Sequence, residues 1–166
     1  MKHYIKFILF SFFIPFHTLA NKDFSDFEKY KTTNSIFKLE KISNGLNYPW
    51  GITFIDENNL VVTEKNGGLK KINITNGKTS KIKHKIQSIE YKKFRNTQGG
   101  LLDVLYHKGF LYFSYSRSFS DEGIEGSSTV IARGKLVKGQ ILKFKILFVS
   151  KPFSKKNIHW GSRLII

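Results

Sequence analysis

The feature that most constrains this chain is a short strand lead-in that occurs three times. Thr97-Gln98-Gly99-Gly100-Leu101-Leu102-Asp103-Val104 runs from a polar side chain through glycine into an apolar stretch. Pro49-Trp50-Gly51-Ile52-Thr53-Phe54-Ile55 comes before it, and His159-Trp160-Gly161-Ser162-Arg163-Leu164-Ile165-Ile166 after it. Glycine allows close backbone approach and angles that other residues avoid, so each stretch reads as a tight passage into a buried strand. Gly51, Gly100 and Gly161 lie 49 and 61 residues apart. One supersecondary unit, begun three times, is the expectation.

The runs after each lead-in agree with it. Residues 50–55, 60–64, 69–74 and 79–86 are strand-like and are joined by Asp56-Glu57-Asn58-Asn59, Asn66-Gly67-Gly68 and Asn76-Gly77. Short Asn- and Gly-rich loops of this kind connect antiparallel neighbours. A second set occupies 101–106, 111–116, 129–137 and 141–149, with turns at Gly109 and Lys138-Gly139-Gln140. Residues 117–128, rich in Ser, Asp, Glu and Gly, read as an exposed loop. In the first set apolar content is highest in the first two runs, and the fourth is rich in lysine. A four-strand meander graded from buried to wet is what a propeller blade requires. Its repetition predicts an all-β chain, a β-propeller rather than a sandwich, with two blades and the start of a third. Two blades cannot close a ring and leave apolar faces open. With the apolar ending Leu164-Ile165-Ile166, that reads as the N-terminal piece of a larger protein.

Residues 1–20 read as a secretory signal peptide. Lys2, His3 and Lys6 give a basic start, residues 5–16 are almost wholly apolar, and Thr18-Leu19-Ala20 places cleavage after Ala20. The run is shorter than the ~20 residues of a spanning helix, and no later stretch is long enough. The expectation is a soluble exported protein, periplasmic or secreted, with no membrane span after cleavage. Residues 21–35 form an N-terminal arm, where Phe24, Phe27 and Tyr30 have the spacing of a short amphipathic helix. Residues 36–166 are the partial propeller and open on an alternating run at 36–42. The chain has no cysteine, so stability must come from the core or a ligand. The formal charge is +16, and +14 without Lys2 and Lys6, with lysines scattered along strand-like runs as at Lys70, Lys71, Lys81, Lys83 and Lys85. Scattered charge reads as solvated strand faces and not as a nucleic-acid surface.

In a propeller the first strand of each blade lines the central channel. Pro49-Trp50, Gln98 and His159 would then take comparable positions and turn an aromatic ring, an amide and an imidazole toward one axial site. An imidazole takes a proton near neutral pH. A glutamine offers both donor and acceptor to a hydroxyl-rich ligand. On spacing alone, a histidine near a strand start is more often structural than functional. His84, His107 and Asp103 read as structural, and the histidine spacing makes no metal triad.

Five phrases sharpen that reading. Leu46-Asn47-Tyr48-Pro49-Trp50-Gly51-Ile52, Val61-Val62-Thr63-Glu64-Lys65, Gln98-Gly99-Gly100-Leu101-Leu102-Asp103-Val104, Ile131-Ala132-Arg133-Gly134-Lys135-Leu136 and His159-Trp160-Gly161-Ser162-Arg163 occur in order. Together, over roughly residues 40–166, they resemble the N-terminal part of the soluble sugar dehydrogenases that depend on pyrroloquinoline quinone (PQQ), the glucose/sorbosone dehydrogenase family. The resemblance implies a six-bladed propeller that oxidises aldose sugars to lactones with PQQ and calcium. It makes His159 the general base that takes the proton of the anomeric hydroxyl while hydride passes to the quinone, and Gln98 a contact to the substrate hydroxyls. It places the cofactor-binding residues beyond Ile166, so the chain alone is expected neither to hold PQQ tightly nor to turn over sugar. It also makes 36–42 an outer strand of the last blade. The glucose-oxidising members carry an Asp before the His, where this chain has Ile158. The alternative is a non-catalytic secreted propeller that binds a protein or glycan.

Overall fold

The computed structural model describes residues 28–31, 33–89, 98–121, 124–156 and 158–166. The signal peptide with its cleavage site, residues 21–27 of the arm, and Thr97 lie outside them. The described residues form strands, turns and irregular segments, with no helix among them.

The chain divides into two units, residues 1–41 and 42–166. In the first, β1 (Glu28–Lys31) pairs antiparallel with β2 (Ile36–Leu39), from Glu28↔Leu39 to Lys31↔Ile36. The part of the arm that is described is thus a strand, not a helix. An isolated helix of this length is costly to nucleate, whereas a hairpin partner a few residues away satisfies the backbone at once. The run foreseen at 36–42 ends at Leu39. Ile42 instead packs with Leu46 and Ile74 against Leu60, Val62 and Ile72 of the second unit's first sheet.

The second unit holds two four-stranded antiparallel meanders. The first runs in the order β3 (Pro49–Phe54), β4 (Asn59–Glu64), β5 (Leu69–Asn73), β6 (Thr79–Lys81). The second runs β7 (Leu101–His107), β8 (Phe110–Asp121), β9 (Ile124–Val137), β10 (Gln140–Val149). Both meanders keep the spacing of the turn signals. Their facing sides form one core that includes Val61, Leu69, Val104, Leu111, Phe113 and Val130.

Three segments depart from the sequence reading. Residues 79–86 are not one strand: β6 stops at Lys81, and Ile82 and Ile86 turn into the core. Lys83 then bridges to Gln140, with Lys83 N–H donating to Gly139 O and Ile141 N–H to Lys83 O. The need to bury two isoleucines carries the chain from the first sheet to the second. Residues 117–121 and 124–128 are strand and not loop, because β8 and β9 stay paired from Leu111↔Gly134 out to Asp121↔Ile124. Serines hide that alternation in the sequence, but Phe119 stacks on Phe153 with ring centroids 4.8 Å apart and gives the hairpin an apolar anchor. Residues 158–166, the third lead-in, form no strand and are hydrogen-bonded to β7 through Asp103 and to β8 through Ser114. The burial gradient also differs. β4 is the most buried strand of its sheet, while β3 exposes Trp50, Ile52 and Phe54 by half or more and turns Gly51 to the second sheet.

The three glycines are not equivalent. A methyl group on Gly51 would lie 2.8 Å from Asp103 Cα, so glycine lets β3 and β7 touch there. Gly100 has φ +143° and a methyl group there would collide with the carbonyl oxygen of Lys65, which also accepts from Leu101 N–H. Gly161 has open space around it.

What does repeat is a buried hydroxyl relay. Gly51 N–H donates to Thr63 Oγ1 at 2.8 Å, and that hydroxyl donates to Leu102 O on the first strand of the next sheet. One unit later, Asp103 N–H donates to Ser114 Oγ at 3.0 Å, and that hydroxyl donates to Ser162 O at 2.5 Å. Thr63 and Ser114 are almost wholly buried. In this frame Gln98 precedes its acceptor carbonyl by four residues and His159 precedes its own by three. The two are therefore one step out of register rather than equivalent.

Thr63→Val keeps the shape at β4 but leaves Gly51 N–H and Leu102 O without the hydroxyl, a loss of about 1–3 kcal/mol for stranded buried polar groups. Urea unfolding should show a lower midpoint for Thr63→Val and a near-normal one for Thr63→Ser. Equal midpoints for the wild type and Thr63→Val would remove the relay as a source of stability.

Candidate active site

The sheets converge on residues 159–164. The Gly99-Gly100 corner is buried and fixed by Gly100 N–H to Ser116 Oγ at 2.6 Å and Ser116 N–H to Gly100 O at 3.0 Å. From it Gln98 projects, and its Oε1 accepts the backbone N–H of His159 at 2.9 Å across 61 residues of chain. His159 is exposed with φ +62°, a left-handed backbone uncommon for residues other than glycine. Its imidazole makes no hydrogen bond with a described residue.

Three further contacts secure the segment just after His159. Trp50 Nε1–H donates to Ser162 Oγ at 2.9 Å, Ser114 Oγ–H donates to Ser162 O, and Leu164 N–H donates to Asp103 Oδ2 at 2.8 Å. The Lys65 ammonium lies 4.8 Å over the Trp50 ring, a cation–π contact that holds one face of the indole. Burial pulls the Lys65 ammonium below the usual lysine value. The Trp160 indole N–H is buried without a hydrogen-bond partner among the described residues.

Of the residues singled out in the sequence, Gln98 and His159 are directly bonded, and Trp50 joins the same segment through Ser162. Asp103 is buried and hydrogen-bonded, the structural acid its place suggested. Arg163 is exposed. Ser114, Ser162 and Lys65 were missed as parts of the site. A signal for Ser114 existed: Val61-Val62-Thr63 and Tyr112-Phe113-Ser114 each place a hydroxyl where an otherwise apolar run would continue.

The arrangement presents an amide NH2 just before the first strand of the second sheet and an imidazole on the segment bonded to it, and Trp50 is bonded to the same segment. That set can take a proton from a hydroxyl and orient it. The glucose/sorbosone dehydrogenase family model matches residues 46–166. The chain belongs to that family. Among known dehydrogenase structures, one glucose dehydrogenase is 25% identical, with a TM-score of 0.57 over 68% of this chain and 35% of its own. Another glucose dehydrogenase is 27% identical, with a TM-score of 0.55 over 68% of this chain and 33% of its own. The soluble aldose sugar dehydrogenase of Escherichia coli, solved in its apo-form, shares the fold at 22% identity, with a TM-score of 0.64 over 75% of this chain and 36% of its own. An uncharacterized protein of Synechocystis sp. is 24% identical over 135 residues, 76% of this chain and 32% of that protein. The chain thus spans about a third of the length of the relatives it matches. Its two meanders are blades of the β-propeller of these dehydrogenases. No helix among the described residues is long and apolar enough to cross a membrane.

Away from this site, a cavity of about 470 Å³ opens between β4–β6 and Asn47, with Glu64, Lys70, Lys81 and His84 among its lining. Glu64 is almost wholly buried and salt-bridged to Lys70 at 2.7 Å, and Asn47 N–H donates to Glu64 Oε1 at 2.5 Å. His84 is held neutral: Ile86 N–H donates to Nδ1 at 3.2 Å, so Nε2 carries the proton and donates to Gly67 O at 3.0 Å. That is a structural imidazole. Burial pushes its pKa below the ordinary value, against a smaller opposing effect of the Gly67 bond. A depressed folded-state pKa means the unfolded chain protonates first. The His84 contribution is therefore full above about pH 6.5 and is lost as pH falls through the folded-state value. Thermal melts between pH 7.5 and 5 should fall more steeply for the wild type than for His84→Gln; parallel curves would contradict this.

Proposed function

We propose that this chain supplies the sugar-facing part of a PQQ-dependent aldose dehydrogenase, which oxidises the sugar to its lactone. The observation that carries the reading is the His159 imidazole, exposed and free of described partners, on a backbone tied to Gln98 within a glucose/sorbosone dehydrogenase propeller. In this reading His159 takes the proton from the anomeric hydroxyl and Gln98 turns its NH2 to the sugar. Bound PQQ would supply the hydride acceptor.

The described residues fit only part of such a centre. Among them no group of three or more His, Cys, Asp or Glu is placed to hold a metal ion. Asp103, a buried carboxylate, accepts Leu164 N–H. In this reading PQQ and calcium are held mostly by residues other than those described. The aldose belongs at His159 and Gln98, and the partial propeller lies within residues 42–166.

The test is aldose-dependent dye reduction by the protein as its gene encodes it, titrated with PQQ and calcium. His159→Ala should lower kcat at least about 100-fold, within the range a general base contributes, while PQQ binding stays within about threefold. Undiminished turnover in that variant overturns the role of His159. A protein that binds no quinone leaves the non-catalytic glycan- or protein-binding propeller. We further propose export to the periplasm or medium with cleavage after Ala20. N-terminal sequencing of the exported protein should begin at Asn21, and an intact Met1 in that fraction would refute it.

A further inference from the structure

We propose that Gln98 is a positioning residue for His159: its carboxamide oxygen pins the His159 backbone N–H and fixes the left-handed backbone from which the imidazole is presented. The hold rests on geometry alone, and its consequence for a sugar substrate rests on the dehydrogenase reading. Four hydrogen bonds tie residues 159–164 to the sheets. Three of them act at Ser162 and Leu164, after His159. The one from Gln98 acts on His159 itself. A non-glycine residue at φ +62° persists where its surroundings hold it, and this bond is the hold that acts at the residue concerned.

Gln98 is suited to the task because its own base is rigid. Gly100 is locked by Ser116, and the Lys65 carbonyl occupies the space beside it where any larger residue would need room. The side chain therefore leaves a fixed corner and reaches across to the third lead-in. With Oε1 engaged, the free end of the amide is the NH2 group. Gln98 then meets a substrate hydroxyl as a donor to its oxygen, and a sugar that needs an acceptor there gains nothing from it.

Two substitutions separate the roles. Gln98→Glu keeps an oxygen for the His159 N–H and removes the NH2. Gln98→Met keeps the length and removes both. In amide hydrogen exchange of the 15N-labelled chain, Q98M should speed exchange at His159 tenfold or more while Leu164 and Gly100 stay protected; Q98E should keep His159 protected. Unchanged His159 exchange in Q98M, or equal loss in Q98E, overturns the proposal. In the dye-reduction assay Q98M should lower kcat at least tenfold, and Q98E should raise KM with kcat within about threefold. A rise in KM alone for Q98M would make Gln98 a plain substrate contact. If the wild type oxidises no sugar, the dehydrogenase reading fails and the exchange result still decides the positioning role.

Discussion

The structure depends on two hydroxyls buried between strands. Thr63 and Ser114 each accept a peptide N–H from the first strand of their own sheet and donate to a carbonyl of the next unit. Stacked sheets usually meet through side chains alone, and apolar contacts leave their relative slide loosely specified. A hydrogen bond through a buried side chain is directional, and breaking it strands two backbone groups. The relay thus sets how far one meander slides along the next. Gly51 completes it, since only a residue without Cβ lets β3 come this close to Asp103.

The same device builds the site. The acceptor of the second relay is Ser162, three residues past His159, so the bond that registers residues 158–166 on β8 also sets where the imidazole can be. Trp50 from the first sheet and Asp103 from the second fasten the segment as well. The proposed base is therefore held by groups from both blades although it belongs to neither. That is how a propeller serves chemistry: rigid sheets fix the places where short irregular segments begin.

The polar composition is spread with the same economy. The lysines foreseen as solvated strand faces include Lys70, which neutralises buried Glu64, while Lys65 lies over Trp50. Arg133 and Lys135 both approach the Phe110 ring, at 4.5 and 4.7 Å. Part of the positive charge is thus packed on aromatic or acidic partners along the sheets.

The sequence by itself determined the meanders. Asn- and Gly-rich turns set the strand count and order in both sheets, because turn chemistry is local, and five phrases in order carried the family. It could not place features decided by distant partners. Serines at 118, 120, 127 and 128 look like a loop until their strands pair and Phe153 arrives beside Phe119. Residues 79–86 look like one strand until Ile82 and Ile86 find a core shared with the other sheet. Three similar glycines suggested one repeat, whereas the true repeat is the hydroxyl relay, visible only once strands from different sheets are side by side. Gln98 and His159 were legible as site residues by their types and phrases. That one holds the backbone of the other was decided only by the tertiary structure, since a hydrogen bond across 61 residues has no local signature.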